Sequence, residues 1–346
     1  MSEILVTGGN GFVGRHVVRA LRERGDSVRV LALPDEDADA LAARGIAVFR
    51  GDICRQETLV APTRGVDSVL HLAAMMDVWR PFEDYHAVNV TGTENVCRTA
   101  LAAGVRRVVH MSSSSVYGMA LGRPADERRE LRPFRDPYPQ TKAAGDSAVQ
   151  RMIVADRLPA VIVRPDQIFG PGDHLHFGRM ADRLRAGKGL IVGKGDNALP
   201  LVYVDDLVQG LLLALDHDRA VGQAYNIGND RPLSQAQLLR AIAREIGANP
   251  PRFHLPYRAL YAAGYLAERL AALTPSSRRP PVTRLGVAFA GTDNRYPIDK
   301  ARRELGYAPR VDLAEGVRIT ARWYLAADDE RTAQPPIALR SEGAVI

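Results

Sequence analysis

The sequence of 346 residues has few of the features on which several protein classes depend. Its two cysteines, Cys54 and Cys97, are too few for a disulfide scaffold or a zinc site, and no metal site is expected. No run of about 20 uncharged apolar residues occurs, so no membrane-spanning segment is expected. The first residues lack a charged segment followed by an apolar one, so no signal peptide is expected. These absences together predict a cytoplasmic protein with reduced thiols.

Lysine is also scarce. Only Lys142, Lys188, Lys194 and Lys300 occur, so 42 of the 46 basic residues are arginine. The net charge of +6 raises the question of an acidic partner. However, the arginines are scattered and form no stripe with interleaved aromatic residues, so nucleic-acid binding is not expected. Since arginine replaces lysine almost everywhere, the positions that keep lysine are of particular interest.

Short apolar runs alternate with amphipathic segments in the first half of the chain. The runs are rich in valine and leucine and mostly lack polar alternation, which is typical of strands buried on both faces of a parallel sheet. They lie at 4–7, 28–31, 47–49, 68–72, 107–111 and 160–163, with helical patterns at 13–23, 85–103 and 141–155. This order predicts an α/β fold with a Rossmann-type doubly wound parallel sheet.

The pattern weakens after Pro165, which predicts a different organisation for the second half. We expect a dinucleotide-binding domain over 1–165, joined by returning segments at about 200–230. Residues 166–199 and 231–326 would form a small C-terminal substrate-binding lobe, with a helix over 234–245 capped by Ser234. A further apolar helix is predicted over 258–273. Residues 327–346 lose periodicity and are predicted to form a flexible tail.

Residues 7–14 read TGGNGFVG, directly after the first strand. Gly8, Gly11 and Gly14 are three apart, which lets the backbone turn tightly, approach a pyrophosphate and pack the helix on the sheet. Phe12 and Val13 then begin a helix whose N-terminal amides face the phosphates. This segment therefore predicts a dinucleotide site.

Further cofactor contacts are expected where later strands end. Asp52 and Ile53 follow the third strand, where a carboxylate could accept a hydrogen bond from adenine. The small residues after the fourth strand, in Leu72, Ala73 and Ala74, would let the backbone approach the cofactor. The tip of the second strand carries neither the acid typical of NAD nor the base typical of NADP. The acids at 35–37 would repel a 2′-phosphate, which favours NAD while leaving NADP open.

A catalytic group is predicted in the segment YPQTK. Tyr138 and Lys142 are four residues apart and share one face of a helix. A phenol near neutral pH needs about 4 kcal/mol of preferential phenolate stabilisation to act as a base, which a neighbouring ammonium and a cationic nicotinamide could supply. Ser113 lies in the run that ends the fifth strand, at the carboxyl edge where such sheets bind ligands. It could hold a substrate oxygen and orient Tyr138.

Taken together, these motifs resemble the extended short-chain dehydrogenase/reductase superfamily over residues 3–325. The resemblance implies that Ser113, Tyr138 and Lys142 are catalytic and that Asn89 shapes the active-site helix. It also implies that Tyr138 and Lys142 bind the cofactor, with Lys142 holding the ribose. It also implies that Pro165 lies beside the nicotinamide. Helices 85–103 and 141–155 would pair in a homodimer. The resemblance to the superfamily rests on the motifs TGGNGFVG, GDI, HLAA, NVTGT, SSSSVYG, YPQTK, RPDQIFGPGD and YVDDLV.

Within this superfamily the chain is similar to the 3β-hydroxysteroid dehydrogenase branch and to bacterial 3-ketoacyl-lipid reductases. Nucleotide-sugar enzymes usually carry a serine where this chain has Pro81 and an asparagine where it has Gln167. They also usually carry an arginine in the stretch 197–200, which has none here. The candidate substrate residues are Met76, Trp79, Ser114 and Gln167. The predicted helix 258–273, with Tyr261, Tyr265 and Leu266, would suit a hydrophobic substrate or pack in the core.

The resemblance implies an NAD(P)-dependent oxidoreductase acting on a sterol, a terpenoid or a β-keto lipid. The alternative is a nucleotide-sugar 4-epimerase or dehydratase with tightly bound NAD. A third reading is a dinucleotide sensor that has lost catalysis, against which the intact Tyr138–Lys142 pair argues. Peripheral membrane association remains open, because the apolar helix at 258–273 could face either a core or a lipid surface.

Overall fold

The central feature is a seven-stranded parallel sheet with the strand order β10-β6-β5-β4-β1-β2-β3. The structure, a computed structural model, describes residues 1–76, 78–273 and 280–333. The sheet confirms the predicted doubly wound α/β fold, and every predicted strand of the first half is present. Its strands are β1 (Glu3–Thr7), β2 (Ser27–Ala32), β3 (Ala47–Arg50), β4 (Ser68–His71), β5 (Arg107–Met111), β6 (Ala160–Pro165) and β10 (Ala224–Ile227).

Helices cover both faces of this sheet. The first four in sequence are α1 (Phe12–Glu23), α2 (Asp39–Ala42), α3 (Val60–Thr63) and α4 (Phe82–His86). They are followed by α5 (Thr93–Ala102), α6 (Pro137–Asp156), α7 (Arg179–Arg185), α8 (Val204–Asp216) and α9 (Gln235–Glu245). Side chains of α1 and α8 pack on one face, and those of α5 and α6 pack on the other. The strands are apolar on both faces because each face lies under a helix layer.

The predicted helix over 85–103 is a longer helix with an irregular middle. It begins as α4, passes through a π-helical segment at Ala87–Gly92 and continues as α5. The irregular segment lies against Gly145 of α6, where an added Cβ would be 2.3 Å from the carbonyl oxygen of Asn89. The two helices can therefore approach this closely only because residue 145 has no side chain.

The second half forms a separate core beside the carboxyl edge of the sheet. Two small sheets pair β7 (Gln167–Phe169) with β9 (Leu201–Tyr203) and β8 (Leu190–Val192) with β11 (Phe253–Leu255). Of the predicted returning strands, only β10 joins the main sheet. The remaining helices are α10 (Tyr257–Ala272), α11 (Arg284–Gly291), α12 (Asp299–Leu305) and α13 (Leu313–Ala333).

Two details of this half bear on the sequence predictions. Ser234 caps α9 as predicted, and its capping box is completed by Gln237. Helix α13 continues through Ala333, past residue 327, where the predicted tail begins, and residues 334–346 lie outside the described part of the chain. Among the helices of the described residues, none has the length and apolar content needed to cross a bilayer.

Candidate active site

One cavity of about 1220 Å³ lies at the carboxyl edge of the main sheet. The glycine loop forms one end, the segment around Ser113 forms the middle, and apolar residues of the C-terminal half form the other end. Most predicted site residues border it. These are Gly8, Gly11, Phe12, Val13, Gly14, Leu72, Ala74, Met76, Trp79, Ser113, Ser114, Tyr138, Lys142, Pro165 and Gln167.

The glycine loop has the geometry of a phosphate cradle. Gly8 has a φ of +70°, and a Cβ there would lie 2.8 Å from the amide nitrogen of Ala73. At Gly14 a Cβ would lie 2.0 Å from the carbonyl oxygen of Gly8. Helix α1 begins after Gly11 with no side-chain cap and no acid in its first turn. The residues present therefore fit a dinucleotide pyrophosphate bound at this N-terminus.

Three other predicted contacts, Asp52, Ile53 and Ala73, do not border the cavity. Asp52 accepts a hydrogen bond from the backbone N–H of Cys54 at 2.8 Å. Ile53 packs against Gly92, where a Cβ would be 2.7 Å from its side chain. Asn89 is likewise absent from the cavity lining. The predicted roles of Asp52, Ile53 and Ala73 in cofactor binding therefore stay predictions.

Tyr138 and Lys142 both face the cavity from the first turns of α6, as their spacing predicts. The helix starts earlier than the predicted 141, because Asp136 caps it and Pro137 occupies its first position. Burial raises the pKa of Tyr138 above its ordinary value, and a hydrogen bond with Ser113 opposes this shift. The sequence-based expectation of a lowered pKa is therefore not met by the chain alone.

Lys142 is only 3% exposed, which is unusual for a lysine. Its Nζ donates a 2.7 Å hydrogen bond to the carbonyl oxygen of Met111, at the end of β5. Burial lowers the pKa of this ammonium to about 8, and the carboxylate of Asp146 acts in the opposite direction. An ammonium has three donors, so this contact leaves others for a ligand in the cavity.

Asn89 connects two walls of the site. Its Oδ1 accepts from the amide of Met75 at 2.8 Å, and its Nδ2 donates to the carbonyl of Met75 at 3.0 Å. The same Nδ2 donates to Oγ1 of Thr141 at 3.0 Å. The side chain therefore fixes the loop after β4 against α6, which agrees with the shaping role that the resemblance implies for it.

A buried chain of hydrogen bonds continues behind this asparagine. Thr93 donates to the carbonyl of Asn89 at 2.9 Å, so its oxygen accepts from Nε2 of His71 at 3.0 Å. Nδ1 of His71 then accepts from the hydroxyl of Thr7 at 2.8 Å, and that hydroxyl accepts from the amide of Ala73. Burial lowers the pKa of His71 to about 3. The imidazole is therefore a neutral structural link between two strands and the π-helical segment.

Beneath the serine run lies a buried ion pair. Both oxygens of Asp146 accept 2.8 Å hydrogen bonds from the guanidinium of Arg164, and both residues are 2% exposed or less. Ser112 donates to Asp146 at 2.6 Å. Arg164 also donates to the hydroxyl of Tyr117 at 2.8 Å. This network holds the segment that carries Ser113 against α6 and β6 from below.

The far end of the cavity is apolar. Its wall includes Met76, Trp79, Met119 and Leu260, and α11 adds further apolar side chains. Helix 258–273 borders the cavity through Leu260, and not through Tyr261, Tyr265 or Leu266. Tyr265 and Leu266 are 40% and 61% exposed and lie on the outer surface of α10, because the helix packs through Leu260 and Gly264 instead.

Three acids border the cavity, Asp136, Asp166 and Asp173, and none was identified as a site residue from the sequence. Asp136 caps α6 by accepting from the N–H of Tyr138 at 3.1 Å. Asp166 follows β6 directly and is 6% exposed. An Asp-Pro pair before a helix and an acid just after a buried parallel strand are both readable signals. Neither signal, however, reveals that the carboxyl group is buried.

Comparisons with known proteins agree with this geometry. The model of the NAD dependent epimerase/dehydratase family matches residues 4–228. A 2-alkyl-3-oxoalkanoate reductase of Stenotrophomonas maltophilia (strain K279a) is 34% identical over 91% of this chain and 97% of its own length. A 3-beta-hydroxysteroid dehydrogenase of Mycolicibacterium neoaurum is 30% identical over 96% of this chain and 94% of its own length.

A similar solved structure is that of DesIV, a dTDP-glucose 4,6-dehydratase from Streptomyces venezuelae, with NAD and TYD bound. It is 28% identical, with a TM-score of 0.77, and the match covers 95% of this chain and 98% of that chain. The chain is therefore similar in fold to a dTDP-glucose 4,6-dehydratase and similar in sequence to a 2-alkyl-3-oxoalkanoate reductase and a 3-beta-hydroxysteroid dehydrogenase.

Proposed function

The chain belongs to the NAD dependent epimerase/dehydratase family, and from this premise we propose that it interconverts a secondary alcohol and a ketone on a hydrophobic substrate. It is a dehydrogenase/reductase of the extended short-chain type, similar to 3-beta-hydroxysteroid dehydrogenases. The observation that carries the proposal is the single cavity that joins the glycine loop, the Ser113–Tyr138–Lys142 group and an apolar wall. Sterols, terpenoids and β-keto lipids are the proposed substrate classes.

The side chains would divide the work as follows. The hydroxyl of Ser113 holds the substrate oxygen, and the Oη of Tyr138 takes or returns its proton. Gly8, Phe12, Val13 and Pro165 would bind the dinucleotide, which supplies the hydride acceptor or donor when bound. The apolar wall excludes water from the substrate end of the cavity.

Lys142 tunes the phenol in this proposal. In the chain alone, burial keeps the pKa of Tyr138 high. Positive charge close to the hydroxyl favours the phenolate, and Lys142 has donors left after its contact with Met111. The phenol would therefore act as a base only when both the ammonium and a cationic ring are close to it. Proton abstraction by Tyr138 would then occur only in the enzyme that holds the oxidised dinucleotide.

NAD is the proposed cofactor in preference to NADP. The carboxylate of Glu36 is fixed beside the glycine loop, since it accepts from Nδ2 of Asn10 at 2.9 Å and from the amide of Leu33 at 3.0 Å. A fixed negative charge near the ribose would repel a 2′-phosphate. Glu36→Gln should bring the dissociation constants of NADH and NADPH closer together in fluorescence titrations. An unchanged ratio would contradict this assignment.

A panel of secondary alcohols and ketones tests the function. The panel contains 3β-hydroxysterols, terpenoid alcohols and 3-hydroxy lipids with NAD or NADP, followed at the NADH absorbance band. We expect a net change in absorbance with at least one class. The alternative, a nucleotide-sugar epimerase or dehydratase with self-recycling NAD, predicts product from a sugar nucleotide without net absorbance change. That result would overturn the proposal.

Tyr138→Phe links the function to the site. The variant keeps the ring but removes the hydroxyl, so turnover should fall at least about 100-fold while NADH binding persists. A fully active variant would remove Tyr138 from the mechanism. If the native protein binds NADH but converts none of the panel, and Tyr138→Phe changes neither result, the protein is a non-catalytic dinucleotide sensor.

We also propose that the protein is a homodimer and that it is located in the cytoplasm. Helices α5 and α6 would form its interface, as the family resemblance implies. The exposed apolar side chains of Leu101 on α5 and Val154 on α6 support this face. Light scattering at micromolar concentration should give twice the chain mass, and a monomer would rule the dimer out.

A further inference from the structure

Asp166 is a buried acid for which the proposed hydride transfer gives no role. It connects β6 to β7, and its backbone N–H donates to the carbonyl of Ile227 at 2.9 Å. It borders the same cavity as Ser113, Ser114 and Tyr138. At 6% exposure, a charged carboxylate would need a paired cation to offset the loss of hydration.

The surroundings of Asp166 favour the uncharged form. In the described part of the chain, its side-chain partner is the hydroxyl of Ser114, and it forms no ion pair. Burial raises the pKa of Asp166 well above its usual range, and the hydroxyl of Ser114 only partly opposes this shift. Gly228 makes room for the group, since a Cβ there would lie 2.1 Å from Oδ2. Burial without a cationic partner therefore favours the protonated carboxyl group, which offers an O–H donor.

We propose that Asp166 donates a hydrogen bond to a second oxygen of the substrate, a carbonyl or carboxylate oxygen β to the reacting alcohol or ketone. The inference rests on the proposed function, in which Ser113 holds the reacting oxygen. Ser114, the side-chain partner of Asp166, follows Ser113 directly, and all three residues border the same cavity. A second oxygen two carbons from the reacting carbon could therefore reach Asp166 while Ser113 holds the reacting oxygen.

A protonated Asp166 would favour substrates that carry this second oxygen over those that lack it. A carboxylic acid donates to a carbonyl or a carboxylate, whereas an ionised Asp166 would repel a carboxylate. A plain alcohol or ketone would leave this donor without a partner in a site with little water. Sites built around such a donor reject analogues that lack the acceptor. Asp166 would thus determine specificity without taking part in the hydride transfer.

Three substrates with one carbon skeleton test the proposal: 3-hydroxytetradecanoate, its methyl ester and tetradecan-3-ol. With NAD, the native enzyme should prefer the first two by at least about tenfold in kcat/KM. Asp166→Ala should reduce this preference to less than about threefold, mainly through KM, while the kcat for tetradecan-3-ol persists. Asp166→Asn keeps a neutral donor and should keep the preference.

Glu127→Gln is the matched control. Burial also raises the pKa of Glu127, but this acid borders a different cavity and accepts from the amide of Asn226. Its substitution should leave the preference unchanged. Calorimetric binding of the same three compounds to the NADH-bound enzyme gives a second readout that does not depend on turnover.

The outcomes separate the two proposals. Equal kcat/KM and equal binding for the three substrates in the native enzyme would overturn the role of Asp166. So would an equal loss on all three in Asp166→Ala, which would indicate a structural role. If no substrate is oxidised but the binding preference exists and disappears in Asp166→Ala, the proposed reaction fails and the role of Asp166 stands.

Discussion

The ammonium of Lys142 donates a 2.7 Å hydrogen bond to the main-chain carbonyl of Met111. The contact joins α6 to the end of β5, next to the serine run. If Lys142 served only this contact, another hydrogen-bond donor could replace it. If Lys142 also tunes the pKa of Tyr138 and binds the ribose of the cofactor, as we propose, its positive charge is required.

Lys142→Met tests this difference. Methionine fills the site of the lysine stem but removes the charge, so kcat/KM should fall at least about 100-fold. The dissociation constant of NADH, measured by fluorescence, should rise as well. Lys300→Met is the control, because Lys300 donates to Gln223 and Ala224 far from this site. Native activity in Lys142→Met would remove the lysine from the mechanism.

Gly14→Ala should abolish dinucleotide binding. The added methyl group would lie 2.0 Å from the carbonyl of Gly8, which forces the glycine loop out of place. Gly178→Ala is the matched control, because a Cβ there would lie 3.4 Å from the carbonyl oxygen of Asp173, an ordinary contact in helical backbone. Calorimetry with NADH measures both variants. Tight binding by Gly14→Ala would contradict the cradle assigned to this loop.

Asp146→Asn should destabilise the fold by about 3–5 kcal/mol, because it leaves the buried guanidinium of Arg164 without its counter-charge. Urea unfolding gives the free energy. The exposed pair of Glu94 and Arg98 provides the comparison, and Glu94→Gln should cost less than about 1 kcal/mol. Similar losses in the two variants would show that the buried network contributes little to stability.

Asp136 makes stability depend on pH. Burial raises its pKa to about 6, with Glu268 raising it further and Arg284 lowering it. The folded state therefore holds a proton that the unfolded state releases near its ordinary value of about 4. This contribution to the free energy of unfolding is complete below about pH 4 and is lost as the pH rises through about 6.

The matched variant is Asp136→Asn, which keeps a good helix cap without the titration. The stability of the native chain relative to this variant should fall by about 1–3 kcal/mol between pH 4 and 7. Urea midpoints across this range measure the difference. A constant difference would mean that the carboxyl group of Asp136 is solvated.

The sheet and the shared helix face of Tyr138 and Lys142 could be predicted from sequence because their signals are local. The valine-rich apolar runs specify β1 to β6, and a spacing of four residues places Tyr138 and Lys142 on one face of α6. The pairing of β7 with β9 could not be predicted, because three-residue strands carry too little pattern. The π-helical segment depends on contact with Gly145, more than fifty residues away.

Asp166 shows the same limit within the site. Its residue type and its position after β6 are visible in the sequence. Its burial depends on Gly228 and Ser114, which are distant in the chain and meet it only in the folded protein. The outward position of Tyr265 also follows from packing, since Leu260 and Gly264 are the buried residues of α10.

The small number of lysines has a practical consequence for labelling the protein. Lys188 and Lys194 are exposed on either side of β8, whereas Lys142 is 3% exposed and Lys300 is half-buried. Amine-reactive dyes or resins would therefore couple mainly at these two neighbouring side chains and at the amino terminus. The protein could be immobilised through one small patch of its surface, with the buried amine of Lys142 shielded from the reagent.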